Sequence, residues 1–145
     1  MKASTRARGW ALQALYGWEI RGGERGREIR SLHDLVEERK VSPVHRAYAE
    51  ALVRIVAANR AELDRRIEDA LANWTLARLS AVDRTILRIG AAEILYMDDV
   101  PGPAAIREAI RLAERYGTPQ SPAFVNGVLD AVMHRAAAAP TSPDG

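Results

Sequence analysis

The sequence predicts an all-α fold, a compact bundle of six or seven helices, and three observations carry that prediction. Apolar residues recur at the 3.6-residue helical period along most of the chain. The breaks between those stretches hold glycine, Ser-Pro or Pro-Gly-Pro, all of which stop one helix or start the next. No segment between turn signals keeps the two-residue alternation of a strand. With 145 residues, 48% of them apolar, the chain suffices for one core and is too short for two ordinary domains. One domain is expected over residues 1–136, and the alanine run and Pro140 to Gly145 read as a flexible tail over 137–145.

Residues 5–19 place Ala7, Trp10, Ala11, Ala14, Leu15 and Trp18 on one stripe after a cap at Ser4 or Thr5. Gly22, Gly23 and Gly26 then break the chain, and a short helix follows with Ile29, Leu32, Leu35 and Val36. Ser42-Pro43 is a cap followed by proline at the first helical position. From there the stripe runs through Val44, Tyr48, Ala51, Leu52 and Ile55, then Leu63, Ile67, Ala70 and Leu71. Its phase moves near Asn59, whose spacing to Glu62 is that of a capping box, so the expectation is a break there or one long bent helix.

Trp74 to Leu79 reads as a short turn in a connector. Ser80 and Asp83 repeat the capping spacing and open the most apolar segment, the candidate central helix, with Val82, Ile86, Leu87, Ile89, Gly90 and Ile94 on one side. Pro101 ends that element and Pro103 suits the first turn of the next. Ala105, Ile106, Ala109, Ile110, Leu112, Ala113 and Tyr116 are expected inward, with Gly117 as a left-handed cap. Ser121-Pro122 starts the last helix, burying Val125, Val128, Leu129 and Val132.

The catalytic inventory is thin. The chain has no cysteine, which removes thiol nucleophiles and thiolate metal sites, and His33, His45 and His134 lie far apart with no ligand spacing. Its only lysines are Lys2 and Lys40, and no glycine-rich phosphate loop is present. Ser80 and Ser121 are explained as helix caps. A non-enzymatic chain without metal or cofactor is therefore expected. No run approaches the roughly 18 apolar residues of a membrane span, and no signal peptide is visible at the N-terminus. The expectation is a cytoplasmic protein without a membrane partner.

One carboxylate is out of place. On a helical wheel Glu93 falls within the apolar face of Val82, Ile86, Ile89 and Tyr96, where a carboxylate needs paired donors. It is expected to tie two helices together by accepting from a cap or an arginine.

Charge is distributed unevenly. The net charge is only +2, yet the first 30 residues hold seven positive side chains against Glu19, Glu24 and Glu28. That asymmetry favours an anionic partner or, more plainly, a solvated helix face. The first helix then divides into two faces. Opposite its buried side lie Arg6, Gly9, Gln13 and Tyr16, a guanidinium for phosphate, a gap, an amide for a base edge and a ring for stacking. Such a face suits single-stranded RNA. It also suits the rim of a protein interface, in which case the chain is a protein-only adaptor or a homodimer.

Four blocks make the chain recognisable: ARGWALQALYGWE, VDRTILRIGAAEIL, AIREAIRLAERYG and FVNGVLD, in that order over residues 7–130. In these it resembles the NusB family of bacterial transcription antitermination factors. The resemblance implies two helical halves packed together. It also implies binding to single-stranded boxA RNA jointly with NusE, a small-subunit ribosomal protein, within a complex with NusA, NusG and RNA polymerase that suppresses termination in ribosomal RNA operons. Carried over by position, it assigns RNA contacts to Lys2, Arg6, Arg8, Gln13, Tyr16, Phe124 and Asn126. Phe124 is placed either to stack on a base or to pack in the core. A partner interface is expected on Asp83, Arg84 and Arg88, taken as exposed. The basic opening of Lys2, Arg6 and Arg8 is thinner than in some relatives, so more of the affinity would fall to the partner.

Overall fold

The computed structural model describes residues 4–138. They form seven α-helices: α1 (Thr5–Ile20), α2 (Glu28–Arg39), α3 (Pro43–Ala58), α4 (Arg60–Ala70), α5 (Ala81–Tyr96), α6 (Gly102–Tyr116) and α7 (Ser121–Ala138). A single 3₁₀ turn, Leu76–Arg78, bridges α4 and α5. Helices α1, α2 and α3 pack on one another, as do α5, α6 and α7. Helix α1 joins the two sets by also lying against α5 and α6, and α4 rests on α5 and α7. The outcome is an all-α bundle in two packed halves. None of the helices is long and apolar enough to cross a membrane.

The helix boundaries follow local chemistry in most places. Ser4 caps α1 by accepting the Ala7 N–H at 3.0 Å, and Ser80 caps α5 by accepting the Asp83 N–H at 3.1 Å. Pro43 and Pro103 lie in first turns, where a missing N–H costs nothing.

Three local expectations are corrected. The chain does break at Asn59, but no capping box forms there. The Asn59 side chain donates back to the Ile55 carbonyl, and hydrogen bonds from Arg65 and Arg66 hold Glu62 down to a pKa of about 2. Ser42 likewise makes no side-chain cap bond, although Pro43 starts α3. Gly117 is extended rather than left-handed, with φ −93° and ψ −161°. A side chain is excluded there by space, since a Cβ would lie 2.5 Å from Ser121 Oγ and 2.9 Å from the Ala113 carbonyl. Ser121 Oγ accepts the Thr118 N–H at 3.0 Å and so closes the α6–α7 turn.

The core runs through both halves without interruption, from Leu12, Leu15, Tyr48 and Leu52 to Ile86, Leu87, Leu112 and Leu129. Gly90 sets how closely α5 approaches its neighbours. A Cβ there would collide with Leu129 Cδ1 of α7 and meet Ala109 Cβ of α6 at 3.4 Å. Alanine favours a helix by about 1 kcal/mol over glycine, yet Gly90→Ala should lower stability by about 1–3 kcal/mol because the core has no room for the methyl. Urea unfolding followed by circular dichroism checks this, and an unchanged or higher midpoint contradicts the packing argument.

Candidate nucleic-acid interface

Arg8 and Glu93 decide how α1 meets the second half of the bundle. Both are buried in apolar surroundings, at 4% and 1% exposure. Arg8 Nε donates to both Glu93 oxygens at 2.9 Å, and one terminal nitrogen lies 2.7 Å from Oε2. The Tyr48 hydroxyl of α3 donates to Glu93 Oε2, and its ring lies 5.3 Å from the guanidinium. Burial pushes the Tyr48 pKa up, reinforced by the hydrogen bond to Glu93 and its charge. Burial alone would lower the Arg8 pKa, but its bond to Glu93 and the surrounding negative charge leave it raised.

This is the helix tie expected of Glu93, but its donor is a residue expected on the RNA surface. Arg8 shares its side of α1 with Leu12 and Leu15, four and seven residues on, so its head enters the seam between α1 and α5 instead of solvent.

The exposed face of α1 ends in a groove of about 380 Å³ against α6, lined among others by Arg6, Gly9, Trp10, Gln13, Arg115 and Tyr116. Trp10, expected at the centre of the buried side, is only half-buried and forms part of this wall. Gln13 Nε2 donates to the Tyr116 hydroxyl at 3.3 Å across the groove. Gly9 faces that same hydroxyl, and a Cβ there would meet it at 3.4 Å. Arg115 lies 5.4 Å from the Tyr116 ring centre, and Arg111 contributes a further guanidinium at the edge. Glu108 fixes the two walls together: Thr5 Oγ1 donates to it at 2.6 Å, and Arg8 approaches it at 3.8 Å. Arg6 and Arg115 have no ion-pair partner among the described residues. The groove therefore offers free guanidiniums, an amide and two aromatic rings, a set that can hold phosphates and stack bases.

Of the residues expected at the RNA surface, Arg6 is exposed and Gln13 half-buried in this groove, and Tyr16 is exposed on α1 outside its lining. Phe124 is half-buried and packs on the core, which favours its core reading, whereas Asn126 is exposed. Lys2 and most of the expected tail lie outside the described residues. Arg111, Arg115, Trp10 and Tyr116 were not anticipated at the site. The four-residue spacing of Arg111 and Arg115, with Tyr116 beside them, was the available signal.

Arg84 and Arg88, expected to be exposed, are drawn inward. Arg84 bonds Glu19 at 2.5 Å and the carbonyls of Leu76 and Leu79, while Arg88 makes a two-pronged pair with Asp64 at 2.8 and 3.0 Å. They pin α1, the 3₁₀ turn and α4 onto α5 rather than reach outward. Asp83 is half-buried, and its Oδ1 is shielded from solvent without accepting a hydrogen bond. Among the described residues no group of three or more His, Asp or Glu is placed to hold a metal.

Comparison with known proteins gives one consistent match. The NusB family profile matches residues 5–134. The chain is 42% identical over 143 residues to the transcription antitermination protein NusB of Acidothermus cellulolyticus, covering 99% of this chain and 95% of the relative. Its fold is similar to T. maritima NusB, with a TM-score of 0.82 at 35% identity over 92% of this chain and 93% of that one. It is also similar to a chain in a solved complex of the antitermination factors NusB and NusE with double-stranded RNA, with a TM-score of 0.80 at 29% identity over 90% and 95% of the two chains.

The different environments of the N-terminal arginines make them separable in experiment. Arg8→Ala should cost about 3–5 kcal/mol by stranding Glu93 in the core, and Arg6→Ala should stay within about 0.5 kcal/mol. Chemical denaturation of the two variants measures the contrast, and equal costs contradict it. For Tyr48, a folded-state pKa above the ordinary 10.0 means stability is fully present below pH 10 and is lost as pH rises beyond it. Tyr48→Phe should be less stable at neutral pH yet lose less than the native chain at high pH.

Proposed function

The chain belongs to the NusB family of non-enzymatic RNA-binding transcription antitermination factors, and from that premise we propose that the groove between α1 and α6 receives single-stranded boxA RNA jointly with NusE. In this reading the assembly joins NusA and NusG on RNA polymerase and suppresses termination in ribosomal RNA operons. The observation that carries the proposal is the convergence of Arg6 and Arg115 with Gln13, Trp10 and Tyr116 around one groove. The guanidiniums neutralise phosphates, and the rings favour bases that are already unstacked. The solved complex of NusB and NusE with double-stranded RNA supports RNA and NusE as the partner classes.

Asp83 is the residue on which a protein partner would dock. Its side chain is half-buried in the first turn of α5 and makes no ion pair among the described residues, so the solvent-facing part of the carboxylate is open to a partner's N–H. Arg84 and Arg88 act behind it, holding α5 in place. Tyr16, Lys2 and Asn126 extend the proposed RNA contacts beyond the groove, and Arg8 serves them only by positioning α1.

The test is binding of a labelled boxA strand, a scrambled strand and a boxA duplex, each with and without NusE, over a salt series. The boxA strand should bind more tightly than both others when NusE is present. Arg6→Ala and Arg115→Ala should each weaken binding by about tenfold and reduce the salt slope by about one. Equal affinity for the scrambled strand with NusE present refutes the specificity, and unchanged affinity in both variants refutes the site.

A further inference from the structure

The α1–α2 turn carries Arg21, Arg25 and Arg27, three of the seven positive side chains in the first 30 residues, and none of them lines the groove between α1 and α6. The turn instead borders a second groove of about 550 Å³, formed with the break between α3 and α4. Its floor is aliphatic, made by Ile29, Ala57, Ala58 and Ala61, and its rim carries Arg25, Arg54 and Arg60.

This groove is held in shape by contacts that serve the turn. The Trp18 indole N–H donates to the Glu24 carbonyl at 2.7 Å, and the Gly26 N–H donates to Glu28 at 2.7 Å. Gly22, Gly23 and Gly26 all have positive φ, which only glycine adopts readily. Arg60 is set over Trp18 at 5.0 Å, so its guanidinium is placed before any ligand arrives. The acids nearby leave the rim positive. Glu28 is buried and committed to its own turn, and of the three rim arginines Glu50 engages only Arg54, at 2.8 Å, while also lying 3.8 Å from His33.

We propose that this groove is a docking site for an acidic amphipathic segment of a protein partner, with apolar side chains on the alanine floor and carboxylates on Arg25, Arg54 and Arg60. Two features select a peptide over a nucleic acid. No aromatic ring lines the groove, since Trp18 is buried beneath Arg60, so bases have nothing to stack on. The methyl-sized floor admits aliphatic anchors, and arginine forks match carboxylates in pairs. The proposal is independent of the RNA reading, because the two grooves share no lining residue.

The full chain is titrated with a labelled amphipathic Leu/Glu peptide of about 15 residues, long enough to form a helix. Its Leu→Ser and Glu→Lys counterparts and single-stranded oligouridine serve as controls. The acidic amphipathic peptide should bind more tightly than either counterpart, and oligouridine should not displace it. Arg25→Ala should weaken it about tenfold, and Ala61→Glu, which adds a carboxylate at an exposed floor position, should abolish binding while leaving boxA affinity unchanged. Displacement by oligouridine, equal binding of the Leu→Ser peptide, or unchanged affinity in both variants overturns the proposal. Loss of boxA binding in Arg6→Ala with the peptide still bound separates the two grooves.

Discussion

The buried pair of Arg8 and Glu93 is the constraint on which the arrangement of the two halves rests. It links α1 to α5 across the seam, and Tyr48 brings α3 into the same cluster. Two charges removed from water are expensive, and their attraction offsets that cost only when lone pairs and N–H groups are satisfied. Here the carboxylate receives two donors from one guanidinium and one from a hydroxyl. A leucine pair would fill the seam without demanding a particular register, whereas this fork holds the rotation of α1 about its own axis. Arg84 and Arg88 act similarly further along α5, toward Glu19 and Asp64.

That rotation determines what α1 presents to solvent. With Arg8 turned inward, Arg6, Gly9, Trp10 and Gln13 are brought against α6. Glu108 carries the constraint to the opposite wall, because it meets both Thr5 and Arg8. The groove is thus assembled from two helices that separate sets of core contacts hold in register. Its chemistry lies at the surface, but its geometry is decided in the interior.

The helices and most of their ends were legible in the sequence because each depends on local chemistry: a 3.6-residue stripe, a serine cap, a proline in the first turn. Glu93 was legible as a buried acceptor for the same reason, since one carboxylate on an apolar face demands a partner. Which arginine would answer it was not. Arg8 and Glu93 are 85 residues apart, and a helical wheel places Arg8 at a boundary where either side is available to a long side chain. Arg84 and Arg88 misled for a related reason, for their acids stand on α1 and α4 rather than on α5. Trp10 and Tyr116 both looked like core, and only the packing of α1 on α6 leaves them sharing a groove.

The burial of Arg8 removes one cation from the exposed side of α1. A basic N-terminus already thin in positive charge gives one of its arginines to the core, so under the proposed RNA reading phosphate neutralisation would fall more to Arg115 of α6, which has no ion-pair partner among the described residues. Few phosphate contacts imply modest affinity and a shallow salt dependence for the isolated chain. In that proposal affinity and discrimination would come from contacts added by a partner. Arg25 of the α1–α2 turn lies outside this economy of charge: with Arg54 and Arg60 it rims an aliphatic floor without aromatic rings, which is why the proposed ligand there differs in class from that of the groove at the other end of α1.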